Sequence, residues 1–368
     1  MVNSATRDIL IKIRQLIECG KLQASDFPVD DIKGSVRLEI KAYESTFLPS
    51  QFEDVMNNYE HICSLIDSGE KDLGKIRLFL DGMIMTLSTV SEAVKSLANK
   101  DFFLRMHPEA SADQELMEAI EAIDQRGDIR LISYPFMDEY DSLPIETGFD
   151  ESKGMIYVIH RGRRMYFPRS WSQQRVEDYY KTLIAEQDER SPHCYLKNGY
   201  EVKPGDVILD VGAAEGFFAL NHLEDAEKIY LFEADDEWIE TLCSTFENEG
   251  DNIVLVPGYV GDTNGNGNIT IDNVLYGQKV NYIKMDIEGY ERAALTGARA
   301  VLESNPDITC AICAYHCHGD SEWIRSYLKE LGFETAISRG YMSPDWSYES
   351  RLYAELRRGV VFGRKHNI

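Results

Sequence analysis

The sequence predicts an α/β fold in which a parallel sheet is covered by helices on both faces and is preceded by a helical region. From Val202 to the end, short apolar runs alternate with segments of helical spacing, a pattern typical of strands that are buried on both faces. The first third of the chain instead repeats apolar residues at helical spacing only. We therefore expect ligands at the carboxyl ends of the predicted strands, as in other open α/β sheets.

Composition limits the class of protein. The 368 residues allow two domains, or three small ones, at ~100–200 residues each. The 38 Lys and Arg against 63 Asp and Glu give a net charge of −25, which disfavours a nucleic-acid partner because phosphate contacts need clustered basic residues. No apolar run approaches the ~18–20 residues of a membrane span. Seven cysteines at irregular spacing do not indicate a disulfide framework, which favours a reducing cytoplasm.

Residues 1–128 are predicted to form a helical domain. Its helical segments are expected at Ile9–Ile17, Val55–Ile66, Ile76–Leu97 and Glu115–Ile123. It contains neither a glycine-rich nucleotide loop nor a cluster of metal-ligand residues. We interpret it as a scaffold, and as a candidate surface for forming a homo-oligomer.

Residues 129–200 are predicted to be a connector or cap. Arg130–Tyr134 and Gly154–His160 are rich in β-branched and aromatic residues, as strands are. The second of these strands is expected to open a hairpin with Gly162 in its turn. The spacing of apolar residues then predicts a helix over Ser172–Gln187.

Residues 201–368 are predicted to form the α/β domain. The predicted strands are Val207–Gly212, Lys228–Glu233, Asn252–Pro257, Tyr282–Asp286, Ile308–Tyr315, Phe333–Ile337 and Gly359–Gly363. The predicted helices are Gly216–His222, Asp236–Glu247, Gly289–Leu302 and Ser321–Leu331.

The segment DVGAAEG, which follows the first of these strands, is the most informative motif. Gly212 permits a tight turn, and Ala213, Ala214 and Gly216 let a ligand approach the backbone closely. Asp210 is expected at the strand end, where its carboxylate can accept hydrogen bonds from a ligand ammonium. The spacing of the two glycines does not fit the G-x-G-x-x-G pattern of dinucleotide sites.

The second strand ends in Glu233, 21 residues after Gly212. An acid about 20 residues beyond such a turn is placed to bind a ribose diol. Together with Asp210 it suits S-adenosylmethionine, which has an amine, a sulfonium and a ribose, better than the anionic pyrophosphate of NAD. The alternative is an acidic strand end without a ligand.

The third strand leads into a loop rich in glycine and asparagine. Gly261 and Asp262 in this loop are candidates for contact with an adenine edge. An ordinary turn aspartate is an equally good interpretation of Asp262.

The segment KMDIEGYE supplies candidate catalytic carboxylates. Asp286 is expected at a strand end and Glu288 two residues later, although Glu288 can equally favour the start of the next helix. Lys284 is expected inside the strand, where burial requires a partner such as a nearby carboxylate.

His316, just past the fifth strand, is a candidate general base with a pKa near neutrality. His193 is a second candidate, for which a contact at a helix terminus is the alternative interpretation. Metal binding through His316, Cys317 or His318 is a weak alternative, because a structural zinc site needs four convergent ligands. We expect no metal.

Taken together, the segments DVGAAEGFFAL, LFEADDEW, ITIDNVL, KMDIEGYERAALTGA and AYHCHGD resemble the FkbM-type family of S-adenosylmethionine-dependent methyltransferases. The resemblance covers the chain from about Met155 onward. It implies a seven-stranded Rossmann-like sheet whose last strand is antiparallel, and methyl transfer to an oxygen, often on a sugar or a natural product. It assigns Asp210, Gly212, Gly216 and Glu233 to the cofactor. It places Asp286, Glu288 and His316 around the acceptor.

The resulting hypothesis is in-line transfer of the sulfonium methyl group to a hydroxyl of a small-molecule or glycan acceptor. His316 or Asp286 is expected to take the hydroxyl proton, with His193 and Glu186 closing over the acceptor. The alternatives are an NAD(P)-dependent oxidoreductase and a non-catalytic binding protein that retains the fold.

Overall fold

The structure is a computed structural model of the chain. It describes residues 107–344 apart from 128, 198 and 276, residues 355–365, and, before residue 107, only 33, 36, 56–57, 59–64, 80, 82–83, 100 and 103–104. These residues divide into two compact units, the first drawn from 1–133 and 343–356 and the second from 134–342 and 357–368. Residues 134–200, part of the predicted connector, therefore share a unit with most of the predicted α/β domain.

The first unit contains helix α1 (Gln114–Arg126), which confirms the helix predicted at Glu115–Ile123. The carboxylate of Asp113 accepts a hydrogen bond from the Leu116 N–H at 3.0 Å and so caps the start of α1. Gly127 ends the helix with a φ of 77°, a conformation that favours glycine.

The described residues within the predicted segments 55–66 and 76–97 are also helical. The segment predicted at Ile9–Ile17 lies outside the described residues. Within the described part of the chain, every helix is too short or too polar to cross a bilayer.

Strands and helices alternate through the second unit. The strands are β1 (Thr147–Asp150), β2 (Met155–His160), β3 (Arg163–Tyr166), β4 (Val207–Val211), β5 (Lys228–Glu233), β6 (Ile253–Pro257), β7 (Tyr259–Val260), β8 (Asn268–Ile269), β9 (Tyr282–Met285), β10 (Ile308–Cys313), β11 (Glu334–Ile337) and β12 (Val360–Lys365). The helices are α2 (Asp138–Asp141), α3 (Gln173–Glu186), α4 (Phe217–His222), α5 (Asp236–Thr245), α6 (Ile271–Leu275), α7 (Glu291–Thr296), α8 (Arg299–Ser304) and α9 (Asp320–Glu330).

Seven strands form one sheet in the order β11-β12-β10-β9-β4-β5-β6. Strand β12 is antiparallel to both of its neighbours, and the other pairs are parallel, which confirms the predicted sheet with an antiparallel last strand. Every residue of β4, β9 and β10 is buried, which explains their continuous apolar runs. The strand order reverses between β4 and β9, and a ligand cleft is expected at the carboxyl ends of these two strands.

The predicted hairpin is also present, as β2 and β3. Arg161 and Gly162 form its turn, both with positive φ (48° and 80°), as a two-residue hairpin turn requires. Strand β1 pairs with β2 and completes a three-stranded sheet. Strand β1 was not predicted, because TGFD has little of the β-branched character of a typical strand.

Two predictions of secondary structure are wrong. Arg130–Tyr134 is not a strand: the Ser133 hydroxyl accepts the Arg130 N–H and donates to the Arg130 carbonyl, which closes a turn. The helix predicted over Gly289–Leu302 is two helices, α7 and α8. It is interrupted near Gly297, whose backbone packs so closely on Gly261 that an added Cβ would lie 2.0 Å from the Gly261 oxygen.

A side chain from α6 starts the second of these helices. The carboxylate of Asp272 accepts hydrogen bonds from the N–H groups of Ala300 and Val301 at 2.9 and 2.8 Å. These N–H groups lie in the first turn of α8 and have no partner within the helix. Asp272 therefore caps α8 from a distant part of the sequence.

We expect Asp272→Ala to lower the free energy of unfolding by about 0.5–2 kcal/mol, the usual cost of a lost helix cap. Asp272→Asn, which keeps one acceptor oxygen, should cost less. Urea denaturation of both variants measures the difference. Equal losses for Ala and Asn would show that charge, rather than capping, carries the effect.

Candidate functional site

The turn between β4 and α4 forms one wall of the site. Gly212 has a φ of 78°, and a Cβ there would lie 1.9 Å from the backbone oxygen of Asp286. Only glycine allows the ends of β4 and β9 to approach this closely. Gly216 has a φ of 83° and packs against Phe246, so it shapes the start of α4.

Glu233, at the end of β5, is held by backbone groups. Its carboxylate accepts hydrogen bonds from the N–H groups of Ala214, Ala234 and Asp235 at 2.9, 2.7 and 2.9 Å. A carboxylate has about four acceptor positions, so a further donor such as a ligand hydroxyl can still bind.

A large cavity of 620 Å³ opens beside Glu233. Two exposed aromatic rings, Tyr259 and Tyr290, lie at its edge. Seven of the predicted site residues line it: Gly212, Ala214, Glu233, Gly261, Asp262, Asp286 and Glu288.

A small cavity of 140 Å³ adjoins the large one and shares four lining residues with it. The shared residues are Gly212, Ala214, Asp286 and Glu288. Its other lining residues include His193, Ala213, Glu186, Glu215, Tyr195 and Lys284. Three predicted site residues, Asp210, Gly216 and His316, line neither of these two cavities.

Asp210 requires a correction. It is fully buried, and its carboxylate lies 3.0 Å from the Lys284 ammonium rather than facing a cavity. Lys284 also donates a hydrogen bond to the Gly212 carbonyl at 2.5 Å. The expected pairing of Lys284 with a carboxylate is confirmed, and it occupies the group that we expected to bind a ligand amine. Burial lowers the pKa of Lys284, but the charges of Asp210 and Asp286 raise this pKa by a larger amount. The pKa of Lys284 therefore lies above its usual value.

A cluster of histidines and carboxylates lies where the two cavities meet. Asp286 is at its centre: Oδ2 accepts a hydrogen bond from the Tyr195 hydroxyl at 2.6 Å and lies 3.3 Å from His193 Nε2. Oδ1 lies 3.4 Å from His316 Nε2. Glu288, in a left-handed conformation with a φ of 55°, lies 3.5 Å from the same nitrogen.

The ionisation of Asp286 and His316 follows from this arrangement. Burial raises the pKa of Asp286, but the hydrogen bond from His193 and the charges of His316 and Lys284 lower it more, to below its usual range. Burial lowers the pKa of His316, but Glu291 and Asp286 raise it to about 9. The expectation of a near-neutral pKa for His316 is therefore wrong, because the ring is surrounded by carboxylates.

Three residues of this site were not predicted from the sequence. Glu291 is fully buried and lies 2.9 Å from His316 Nδ1. Glu215 accepts a hydrogen bond from Tyr179 at 3.1 Å, and burial raises its pKa to about 7. The available signals were the third acid of KMDIEGYE for Glu291 and the acid inside DVGAAEG for Glu215. Tyr195 had no signal beyond its position near His193.

A metal was considered through His316, Cys317 or His318, and among the described residues only His316 of these three belongs to a group of potential metal ligands. The Cys317 thiol lies against the Gly289 carbonyl. Potential ligand atoms do come within 4.8 Å of one another around Asp286, with either His193 and Cys313 or Glu291 and His316. In the first group His193 lies 3.3 Å from Asp286, and in the second His316 lies 2.9 Å from Glu291.

Residues 266–335 match the family profile of the methyltransferase FkbM domain, which confirms the resemblance found in the sequence. The matched residues include Asp286, Glu288, Glu291 and His316. A search of curated proteins finds no match.

Solved structures that align with this chain include methyltransferase FkbM from Methylobacillus flagellatus KT, at 16% identity and a TM-score of 0.37, with 73% of this chain and 59% of that chain covered. A methyltransferase from Pyrococcus furiosus aligns at 18% identity and a TM-score of 0.35, over 54% of this chain and 100% of that chain. Precorrin-6y C5,15-methyltransferase from Geobacter metallireducens aligns at 12% identity and a TM-score of 0.33, over 46% of this chain and 84% of that chain.

We expect Lys284→Met to destabilise the protein by about 3–5 kcal/mol, because it leaves the buried Asp210 carboxylate without its cation. The double variant Asp210→Leu/Lys284→Met removes both charges and should recover much of this loss. Chemical denaturation of the wild type, of the single variants Lys284→Met and Asp210→Leu, and of the double variant measures both effects. If the double variant were as unstable as the sum of the two single variants, the two groups would not act as a pair.

Proposed function

We propose that the protein is an S-adenosylmethionine-dependent O-methyltransferase that acts on a hydroxyl of a small-molecule or glycan acceptor. The observation that carries the proposal is the meeting of the two cavities at Gly212, Ala214, Asp286 and Glu288. A donor and an acceptor bound in adjoining cavities would approach each other beside these residues. The match to the FkbM domain supports the class of reaction.

The residues of the large cavity fit the methyl donor. Glu233 is fixed by three backbone N–H groups and keeps an acceptor position for a ribose hydroxyl. Gly261 and Asp262 lie on the same cavity and suit an adenine edge. The carboxylates of Asp286 and Glu288 line both cavities and can attract a cationic ligand.

When bound, the donor supplies an electrophilic methyl group on a sulfonium, which needs little more than alignment with the acceptor. In the proposed transfer, the acceptor oxygen would form a bond to the methyl carbon as the sulfur–carbon bond breaks, and the hydroxyl proton would pass to a base. The protein's own residues therefore have to align the two ligands and accept the hydroxyl proton.

Among the candidate bases, we propose that His193 accepts the hydroxyl proton of the acceptor. Both His193 and Asp286 line the small cavity, whereas His316 does not. The pKa of Asp286 lies below its usual range, which makes it a weak base. Burial lowers the pKa of His193, but Glu186 and Asp286 raise it above its usual value. In this assignment Asp286 orients His193 through Oδ2, and His316 lies on the Oδ1 side of the same carboxylate.

The acidic composition and the small volume of the cavity favour a small molecule or a sugar over a nucleic acid as the acceptor. We further propose a reducing cytoplasm as the location, since the described cysteines are free thiols.

Two measurements test the function. Calorimetry should detect binding of S-adenosylmethionine and of its demethylated product. Incubation with a deuterated methyl donor and a panel of sugars and hydroxylated metabolites should then give an O-methylated product by mass spectrometry. Binding of NADH without binding of S-adenosylmethionine would instead indicate an oxidoreductase, and binding without transfer would indicate a binding protein.

We expect Glu233→Gln to weaken binding of S-adenosylmethionine about tenfold or more, since a hydrogen bond to a charged group contributes roughly 1.5–3 kcal/mol. The matched control is Glu322→Gln, at an exposed position of α9. Calorimetric titration of both variants measures the change. Unchanged affinity in Glu233→Gln would remove Glu233 from the donor site.

A further inference from the structure

Five side chains form an alternating chain of acids and histidines, in the order Glu291, His316, Asp286, His193 and Glu186. The successive distances between their polar atoms are 2.9, 3.4, 3.3 and 3.6 Å. We call this arrangement the acid–histidine chain. It begins at the fully buried Glu291 and ends at His193 and Glu186, which line the small cavity.

We propose that Glu291 and His316 are positioning residues that act through Asp286 on His193. The inference rests on the proposed function, which assigns the acceptor proton to His193. It adds two residues that lie outside both cavities and accounts for their burial beside the site.

The two oxygens of Asp286 separate the roles of the two histidines. Oδ1 faces His316, and Oδ2 faces His193 and accepts the Tyr195 hydroxyl. A cationic His316 keeps Asp286 ionised, and an ionised Asp286 holds a proton on His193 Nε2. The other nitrogen of His193, Nδ1, lies 3.6 Å from Glu186, and both residues line the small cavity. With the proton on Nε2, Nδ1 is the nitrogen that can accept a proton.

Glu291 fixes His316 from the opposite side. Its Oε1 lies 2.9 Å from His316 Nδ1 and also accepts the Ile287 N–H at 3.0 Å, which ties the carboxylate to the backbone. The guanidinium of Arg357 donates to the carbonyls of Tyr315 and His316 at 2.8 and 2.5 Å. The ring therefore has a fixed orientation, as in other sites where a buried carboxylate orients a histidine.

Other groups also face the two rings. Glu288 lies 3.5 Å from His316 Nε2. The Tyr195 hydroxyl and the Cys313 thiol lie 3.4 and 3.6 Å from His193 Nε2. Burial raises the pKa of Cys313 well above its usual value, so it is a neutral thiol. The rings of His193 and His316 oppose each other's protonation through their shared carboxylate.

The test is nuclear magnetic resonance titration of the two imidazoles in the free protein, with a chelator present to exclude metal binding. Glu291→Gln keeps the size of the side chain and an acceptor for the Ile287 N–H but removes the charge. We expect the proton affinity of His316 to fall about tenfold or more. We expect that of His193 to rise, because a neutral His316 no longer competes for Asp286.

Opposite shifts of the two rings distinguish this role from a structural one, since general loosening of the site would move both rings toward the ordinary histidine value. The matched control is Glu303→Gln on α8, at an exposed site where neither ring should shift. Unchanged rings, or rings that shift in the same direction, in Glu291→Gln would overturn the proposal.

If Glu291→Gln fails to fold, His316→Gln replaces it. The proton affinity of His193 should again rise, whereas loosening of the site would lower it. In the wild type, each ring should show two titration steps, since both interact with Asp286. These measurements need neither donor nor acceptor, so a failure of the proposed methyl transfer would leave their outcome unaffected. Once an acceptor is found, the methyl-transfer rate should increase with pH as His193 loses its proton. This increase should occur at a higher pH in Glu291→Gln than in the wild type, because the proton affinity of His193 is higher in the variant.

Discussion

The site depends on one buried ion pair between neighbouring central strands. Asp210 on β4 and Lys284 on β9 are direct partners in the parallel register, and their charged groups lie 3.0 Å apart. The same ammonium binds the carbonyl of Gly212, so it fixes the point where β4 leaves the sheet. A buried charge is tolerated only when it is paired in this way. Both cavities are built around the turn that this cation holds.

The central sheet could be predicted because its strands are buried on both faces and therefore appear as continuous apolar runs. The starts and ends of β4 and β5 fall within a residue of the prediction. By contrast, β1 has few of the residue types typical of a strand, and the interruption at Gly297 depends on a contact with the distant Gly261. A glycine that packs on the backbone of Gly261 looks, in the sequence, like any glycine inside a helix.

The candidate site shows the same division. The positions of Glu233 and Asp286 at strand ends follow from local sequence, and both line the large cavity. The direction of the Asp210 side chain does not follow, because it is set by Lys284, 74 positions further along the chain. Tyr195 reaches Asp286 across a separation of 91 residues. Such partners are determined by the fold, and sequence spacing alone does not reveal them.

The carboxylate of Asp286 lines both cavities and is also the centre of the acid–histidine chain. Asp286, Glu288 and Glu186 line the small cavity, and the nearby histidines balance them only when the rings are protonated. A cation that enters this space and a proton on either ring therefore compete for the same carboxylates. Because such coupling is reciprocal, a bound cation lowers the proton affinity of the rings as much as protonation lowers the affinity for the cation. Under the proposed function, occupancy by a positively charged donor would therefore favour a histidine that is free to accept a proton.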